Sequence, residues 1–185
     1  MTKVGGQPVW LEEPQWPLSR ATGEPMQFLG QFTLDGGRLA YLFVRGEDFS
    51  GETAYAEGGE NAVIIQPGGR VPDFVSVRAQ AKGPAACVDH RLRLAEAKTC
   101  VFLGGPGVEP NWIHEERYPG VGWKLVIQLT SELEDWLPLD GLTEEGIVTE
   151  DLVPCYQAWG QSGWGACWIF VSPDGKEGRF LWDCV

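Results

Sequence analysis

Two stretches of the chain repeat one pattern of apolar and polar positions. Phe28-Leu29-Gly30-Gln31-Phe32-Thr33 is followed by Tyr41-Leu42-Phe43-Val44, and Leu125-Val126-Ile127-Gln128-Leu129-Thr130 by Trp168-Ile169-Phe170-Val171. Each copy reads as a short apolar strand with a glutamine and a threonine at matching places. An aromatic-aliphatic-Phe-Val strand follows, ending in a polar, Gly-containing turn. The spacing predicts a strand over Met26 to Leu34, a turn at Asp35-Gly36-Gly37 and a strand over Arg38 to Val44, together a hairpin. Asn61 to Gln66 is a third apolar run, stopped by Pro67-Gly68-Gly69, and Asp73 to Gln80 alternates as a fourth strand. In the second half Trp123 to Thr130, Cys167 to Val171 and Gly178 to Cys184 read as strands, the last two joined by Ser172-Pro173-Asp174-Gly175.

Elsewhere the pattern is weaker. Residues 1–25 are loop-like, because Gln7-Pro8, Glu13-Pro14, Trp16-Pro17 and Glu24-Pro25 push each residue before a proline toward extended backbone. Trp10 and Trp16 are expected to anchor this segment to the body. Asp89 to Lys98 alternates at Arg91-Leu92-Arg93-Leu94 yet suits a helix later on, and so short a run leaves both periods open. Ser131 and Glu134 fit a capping box for a helix of a turn or two before Pro138. The Gly/Pro-rich stretch 104–120 places a joint between two pseudo-repeat halves of one domain, approximately 1–103 and 121–185.

Composition supports short strands joined by turns: 185 residues hold 25 Gly and 13 Pro beside nine Trp and eight Phe. No window reaches the length of an apolar membrane span, and the start carries no apolar secretory region. Five cysteines without close-spaced pairs fit reduced thiols, so the expected compartment is the cytoplasm.

The net charge is −12, and it is unevenly placed. Between Lys124 and Lys176 there is no Lys or Arg, while Glu132, Glu134, Asp135, Asp140, Glu144, Glu145, Glu150, Asp151 and Asp174 all fall there. A second zone free of positive charge, Gly46 to Gly69, holds Glu47, Asp48, Glu52, Glu57 and Glu60. Such runs usually form a solvated face. They also repel phosphate backbones and anionic membranes, and they steer basic proteins into contact.

Several residues from both copies carry a family resemblance. These are Lys3-Val4-Gly5-Gly6, Trp16-Pro17, the run Gly23-Glu24-Pro25-Met26-Gln27-Phe28-Leu29-Gly30-Gln31, and Gly163-Trp164-Gly165-Ala166-Cys167-Trp168-Ile169-Phe170-Val171. Together they resemble the YwqG-like family of bacterial proteins, a domain of unknown function. The resemblance spans most of the chain but not 81–120. It implies an α+β fold, predominantly antiparallel β and internally duplicated, and it brings no catalytic residue to carry over. In character the chain also resembles some immunity proteins encoded beside bacterial toxins.

Candidate chemistry is sparse. Cys87-x-x-His90 with Cys100 and His114 supplies zinc-type ligands, but structural zinc takes two close pairs and Cys100 to His114 is not one, so no metal or cofactor is expected. The same residues offer a Cys-His pair without a third orienting group. Adjacent acids such as Glu12-Glu13, Glu115-Glu116 and Glu144-Glu145 point to opposite faces of a strand and cannot face one another as acid and base. Abundant Trp and acid permit a sugar-processing site by composition alone. Gly104-Gly105-Pro106-Gly107 and Gly58-Gly59 lack the Lys and the strand-to-helix setting of a phosphate loop and read as turns.

Gln31 and Gln128 need amide partners if buried, either in a clamp across the halves or in a groove shared by them. The reading that follows is a non-enzymatic binding protein for a basic protein partner, of immunity type. Its contact zone is Glu132, Glu134, Asp135, Glu144 and Glu145, with Trp136 as the buried anchor. The competing reading is a small-ligand-binding protein or hydrolase with Gln31 and Gln128 in the cleft between repeats.

Overall fold

A computed structural model describes residues 1–46, 51–86, 89–91, 102–103, 109–110, 112–130 and 165–184. Its strands are β1 (Lys3–Val4), β2 (Trp16–Leu18), β3 (Gln27–Thr33), β4 (Leu39–Val44), β5 (Asn61–Gln66), β6 (Ser76–Arg78), β7 (His90–Arg91), β8 (Phe102–Leu103), β9 (Lys124–Thr130), β10 (Gly165–Val171) and β11 (Gly178–Cys184). They form a five-stranded sheet in the order β5-β4-β3-β1-β7, a four-stranded sheet in the order β11-β10-β9-β8, and a β2-β6 ribbon. Every ladder between these strands is antiparallel.

The α+β expectation is overturned: among the described residues the only helical pieces are two short 3-10 turns, Asp35–Gly37 and Gly51–Ala54. The physical reason lies in the pattern. β4 and β5 are buried at every position, with side chains alternating between two apolar clusters, and that period suits a strand covered on both faces. Glycines at Gly36 and Gly37 take positive φ in the turn that closes β3 onto β4. The helix expected from Ser131 lies outside the described residues, and the described part of Asp89–Lys98 contains β7.

The sequence repeat is a structural repeat down to its irregularities. Gln31 stands opposite Tyr41 across β3 and β4, and Gln128 opposite Trp168 across β9 and β10. Each ladder slips by one residue at the same place, leaving Leu29 in one copy and Val126 in the other without a cross-strand partner, which is a β-bulge. The bulge turns both residues toward the layer between the sheets. β1 flanks β3 as β8 flanks β9, and β5 flanks β4 as β11 flanks β10.

Three apolar clusters follow from the alternation. Leu42, Val44, Val63 and Ile65 of the first sheet pack with Ile127, Ile169, Val171, Phe180 and Trp182 of the second in the central layer. The opposite faces carry separate clusters, Tyr41, Phe43 and Ile64 on the first sheet and Trp168, Phe170 and Leu181 on the second.

Like edges of the two copies meet, with β5 alongside β11. Trp182 Nε1 donates to Thr53 Oγ1 at 3.0 Å, and the Arg70 N–H donates to the Lys176 carbonyl at 2.8 Å. The Arg179 guanidinium lies between the rings of Phe74 and Trp123, 4.7 and 5.0 Å from their centroids. The copies approach closely at Gly178, since a Cβ there would run into the Val63 side chain.

Gly178→Ala is therefore expected to destabilise the protein by about 1–3 kcal/mol, the cost of overpacking a filled site. Ser76→Ala on the exposed β6 should stay within about 0.5 kcal/mol. Urea denaturation of both variants measures the difference.

Candidate functional site

The outer face of each sheet is covered by an irregular strap, and the two straps correspond residue for residue. Pro8, Trp10, Leu11, Glu13, Trp16 and Pro17 in the first copy match Pro110, Trp112, Ile113, Glu115, Tyr118 and Pro119 in the second. The geometry repeats with the sequence. Trp10 lies 4.9 Å from Tyr41 and 6.0 Å from Phe43, and Trp112 lies 4.8 Å from Trp168 and 6.0 Å from Phe170. Trp16 meets Phe43 edge-on at 5.1 Å, and Tyr118 meets Phe170 edge-on at 5.7 Å. Trp10 and Trp16 thus anchor the N-terminal segment to the body.

In the first strap only Trp16 and Pro17 join a ladder, as part of β2, so the irregular chain before them needs side-chain partners for its backbone polar groups. In the first copy the strands supply them. Gln31 Oε1 accepts the Val9 N–H at 2.8 Å, and its Nε2 donates to the Met1 carbonyl at 3.0 Å. Tyr41 OH donates to the Val9 carbonyl at 2.8 Å and accepts the Leu11 N–H at 3.1 Å. Gln66 Oε1 accepts the N–H groups of Leu11 and Glu12 at 3.2 and 3.1 Å, while its Nε2 donates to the Glu13 carbonyl and Gln15 Oε1. Burial pushes the Tyr41 phenol up to about 12.

The second copy keeps the aromatics and changes the polar set. Gln128 Oε1 accepts the Trp168 indole N–H at 3.0 Å. Asp183 occupies the place of Gln66, and it meets His114 Nδ1 at 2.9 Å and Arg117 Nη1 at 3.8 Å. His114 and Arg117 stand where the first strap has Glu12 and Gln15. Arg117 also lies over the Tyr55 ring, 6.0 Å from its centroid.

Exposure differs too. Trp16 is fully buried, whereas Tyr118 is 40% exposed and Tyr55 61% exposed. Tyr118 OH donates to Glu109 Oε2 at 2.7 Å, a bond to a carboxylate that raises the phenol to about 12. Glu109, Glu115, Glu116 and Glu57 are all exposed in this region, so the second strap presents carboxylates beside open aromatic rings.

The sequence-derived candidates fall as follows. Gln31 and Gln128 are both buried but lie on different sheets, paired with residues of opposite outer faces, and each serves its own copy. Glu132, Glu134, Asp135, Trp136, Glu144 and Glu145 lie outside the described residues, in the connection from β9 to β10. The matching connection from β3 to β4 is the short turn Leu34–Arg38. Of the zinc-type set, Cys87 and Cys100 lie outside the described residues, and His114 is engaged by Asp183. Among the described residues no group of three or more His, Cys, Asp or Glu is placed to hold a metal ion. No described helix is long and apolar enough to cross a membrane.

The sequence reading found the Trp10 and Trp16 anchors but missed the matching second strap and the roles of Gln66 and Asp183. The signal was the spacing Pro-x-Trp-(Leu/Ile)-x-Glu followed by an aromatic-Pro pair, present in both copies. Comparison of the chain with protein-family models, curated proteins and solved structures finds no match.

Gln66→Leu should cost about 1–3 kcal/mol, because the Glu12 N–H loses its acceptor and the Leu11 N–H keeps only Tyr41 OH. Tyr41 gives a pH test. Its folded-state value is raised above the ordinary 10, so its contribution is complete below about pH 10 and is lost as pH rises toward 12. Tyr41→Phe should lower stability at neutral pH and flatten the alkaline decline, as read by denaturation midpoints between pH 8 and about 12.

Proposed function

We propose that the chain is a cytoplasmic, YwqG-like, non-enzymatic binding protein that holds a basic protein through an acidic, aromatic-bearing surface, in the manner of an immunity protein. The observation that carries this reading is the difference between the straps. In the first copy the ring pair Trp10 and Trp16 is tied down by neutral groups, and Trp16 has no exposed surface. In the second, Tyr118 stands open beside Glu109, Glu115 and Glu116, with Tyr55 exposed nearby. Open aromatics supply contact area at low entropy cost, and surrounding carboxylates select Lys and Arg and speed encounter.

The charge distribution points the same way. The acid-only stretch from Glu132 to Asp151 is inserted in the second copy, between β9 and β10, so the additional negative charge belongs to the copy with the open strap. A net charge of −12 opposes phosphate backbones and anionic membrane surfaces. The competing cleft reading, a small-ligand site or hydrolase, relied on Gln31 and Gln128 converging; their separate hydrogen-bonding roles remove that support.

A charge-reversal panel tests the proposal. Partners are captured from native lysate at low and high salt, and the affinity of the purified partner is then compared for the wild type and for a variant carrying Lys at Glu115, Glu116, Glu132, Glu134, Glu144 and Glu145. The expected result is a basic protein bound at low salt and released at high salt, with affinity at least about tenfold weaker for the variant and a shallower salt dependence. Unchanged affinity and slope would rule the surface out. The immunity reading further expects a toxin gene immediately upstream.

A further inference from the structure

Arg179 of β11 is buried, with 9% of its side chain exposed, and among the described residues only one edge of its guanidinium makes hydrogen bonds. Nη1 donates to the Gly178 carbonyl at 3.1 Å and meets Glu177 Oε2 at 3.0 Å. The plane of the group lies between Phe74 and Trp123, 4.7 and 5.0 Å from their ring centroids. Nε, on the opposite edge, is buried and has no hydrogen-bond partner. Glu57 Oε1 stands 3.5 Å from Nε without the alignment of a hydrogen bond, and the Glu57 side chain is 68% exposed.

The fold does not require a charge at this position. Arg179 pairs with Phe170 of β10 as Ala62 pairs with Phe43 of β4, so the first copy fills the equivalent place with a small apolar residue. A guanidinium there costs desolvation, and an unpaired buried N–H adds to that cost. The covalent geometry of the group sets the Nε hydrogen and one Nη2 hydrogen side by side. That fork matches the two oxygens of a carboxylate.

We propose that the Nε edge of Arg179 is a binding site for a small organic monocarboxylate, and that Glu57 is the internal carboxylate which the ligand displaces. Glu57 gives way readily, because it makes no hydrogen bond to Arg179 and its exposed carboxylate stays hydrated when it swings aside. The charge of the ligand follows from the neighbours. Glu177 already offsets part of the Arg179 charge, so a singly charged carboxylate is accommodated where the higher charge of a phosphate is opposed. The two rings exclude water from the guanidinium and strengthen its bonds to the ligand. The inference stands on Arg179 and Glu57 and is independent of the partner-binding reading.

Isotope-labelled full-length protein at neutral pH is titrated with sodium propionate and followed by NMR at two reporters, the Arg179 Nε–H, assigned through its own backbone, and the Trp123 indole N–H beside it. Sodium chloride and sodium phosphate at matched ionic strength are the comparison probes. The expected result is a saturable shift of both signals with propionate that neither chloride nor phosphate reproduces. Glu57→Ala, at an exposed position, should lower the propionate concentration at half-saturation about two- to fivefold, because the competing carboxylate is gone. Arg179→Lys keeps a charge without the fork, and in it the Trp123 indole should stop responding. An Arg179 signal that ignores propionate, that follows chloride or phosphate equally, or that reaches half-saturation at the same concentration in Glu57→Ala overturns the proposal.

Discussion

Each principal sheet is apolar on both faces, and that constraint sets the rest of the structure. One face of each sheet is covered by the other sheet, in the layer containing Leu42, Ile65, Ile169 and Phe180. Among the described residues the second face of each sheet is covered by a strap, which on the first sheet runs into the β2-β6 ribbon at Trp16. Burying a large side chain there stabilises by roughly 1.5–3 kcal/mol, and leaving one buried N–H or carbonyl unpaired costs about 1–3 kcal/mol. The two terms are of similar size. A strap therefore closes only if its backbone finds partners, and this is why polar side chains interrupt otherwise apolar strands at Gln31, Tyr41 and Gln66. Gln31 and Gln66 hold the strap whose Trp10 lies on Tyr41 and Phe43.

Duplication lets the same solution be used twice with different chemistry. The aromatic contacts are kept within a few tenths of an ångström for the Trp10 and Trp112 stacks, so the packing half of the problem is solved identically. The polar half diverges: neutral amide bonds on one side, an ionic pair with an exposed histidine on the other. Packing leaves little room for change, because a misplaced ring forfeits contacts on every side. Fastening residues at the rim have more freedom, and there the two copies differ.

How much of this was legible in the sequence follows from which residues carry a period. β3, β4, β5, β9, β10 and β11 were read within a residue or two of their ends, because apolar positions in them alternate and glycine-containing turns bound them. The internal repeat was visible for the same reason. The expected helical component failed because it came from the resemblance and from two short ambiguous runs, not from a sustained 3.6-residue stripe. The first strap was legible only through its Trp10 and Trp16 anchors, and its repetition was missed because irregular chain has no period to detect; the like spacing of Pro8, Trp10 and Trp16 with Pro110, Trp112 and Tyr118 carries it. The role of Gln31 was half legible: a buried amide demands partners, but the alphabet of the strand does not say that those partners are Val9 and Met1. Asp183 carried no signal by itself, since its meaning depends on alignment with Gln66 through two hairpins.

Under the proposed binding function, several buried polar groups spend their hydrogen bonds on the chain itself. Here Gln31, Tyr41 and Gln66 each hold strap backbone, Gln128 holds an indole, and Glu60 accepts from Ser19 and the Ala21 N–H. Those bonds position chain, and what they position on the second sheet is an aromatic face rimmed by carboxylates. A surface made in this way can be altered residue by residue at its rim while the sandwich beneath it stays unchanged. Such freedom suits recognition of a partner, where affinity resides in a few exposed anchors and their surrounding charge.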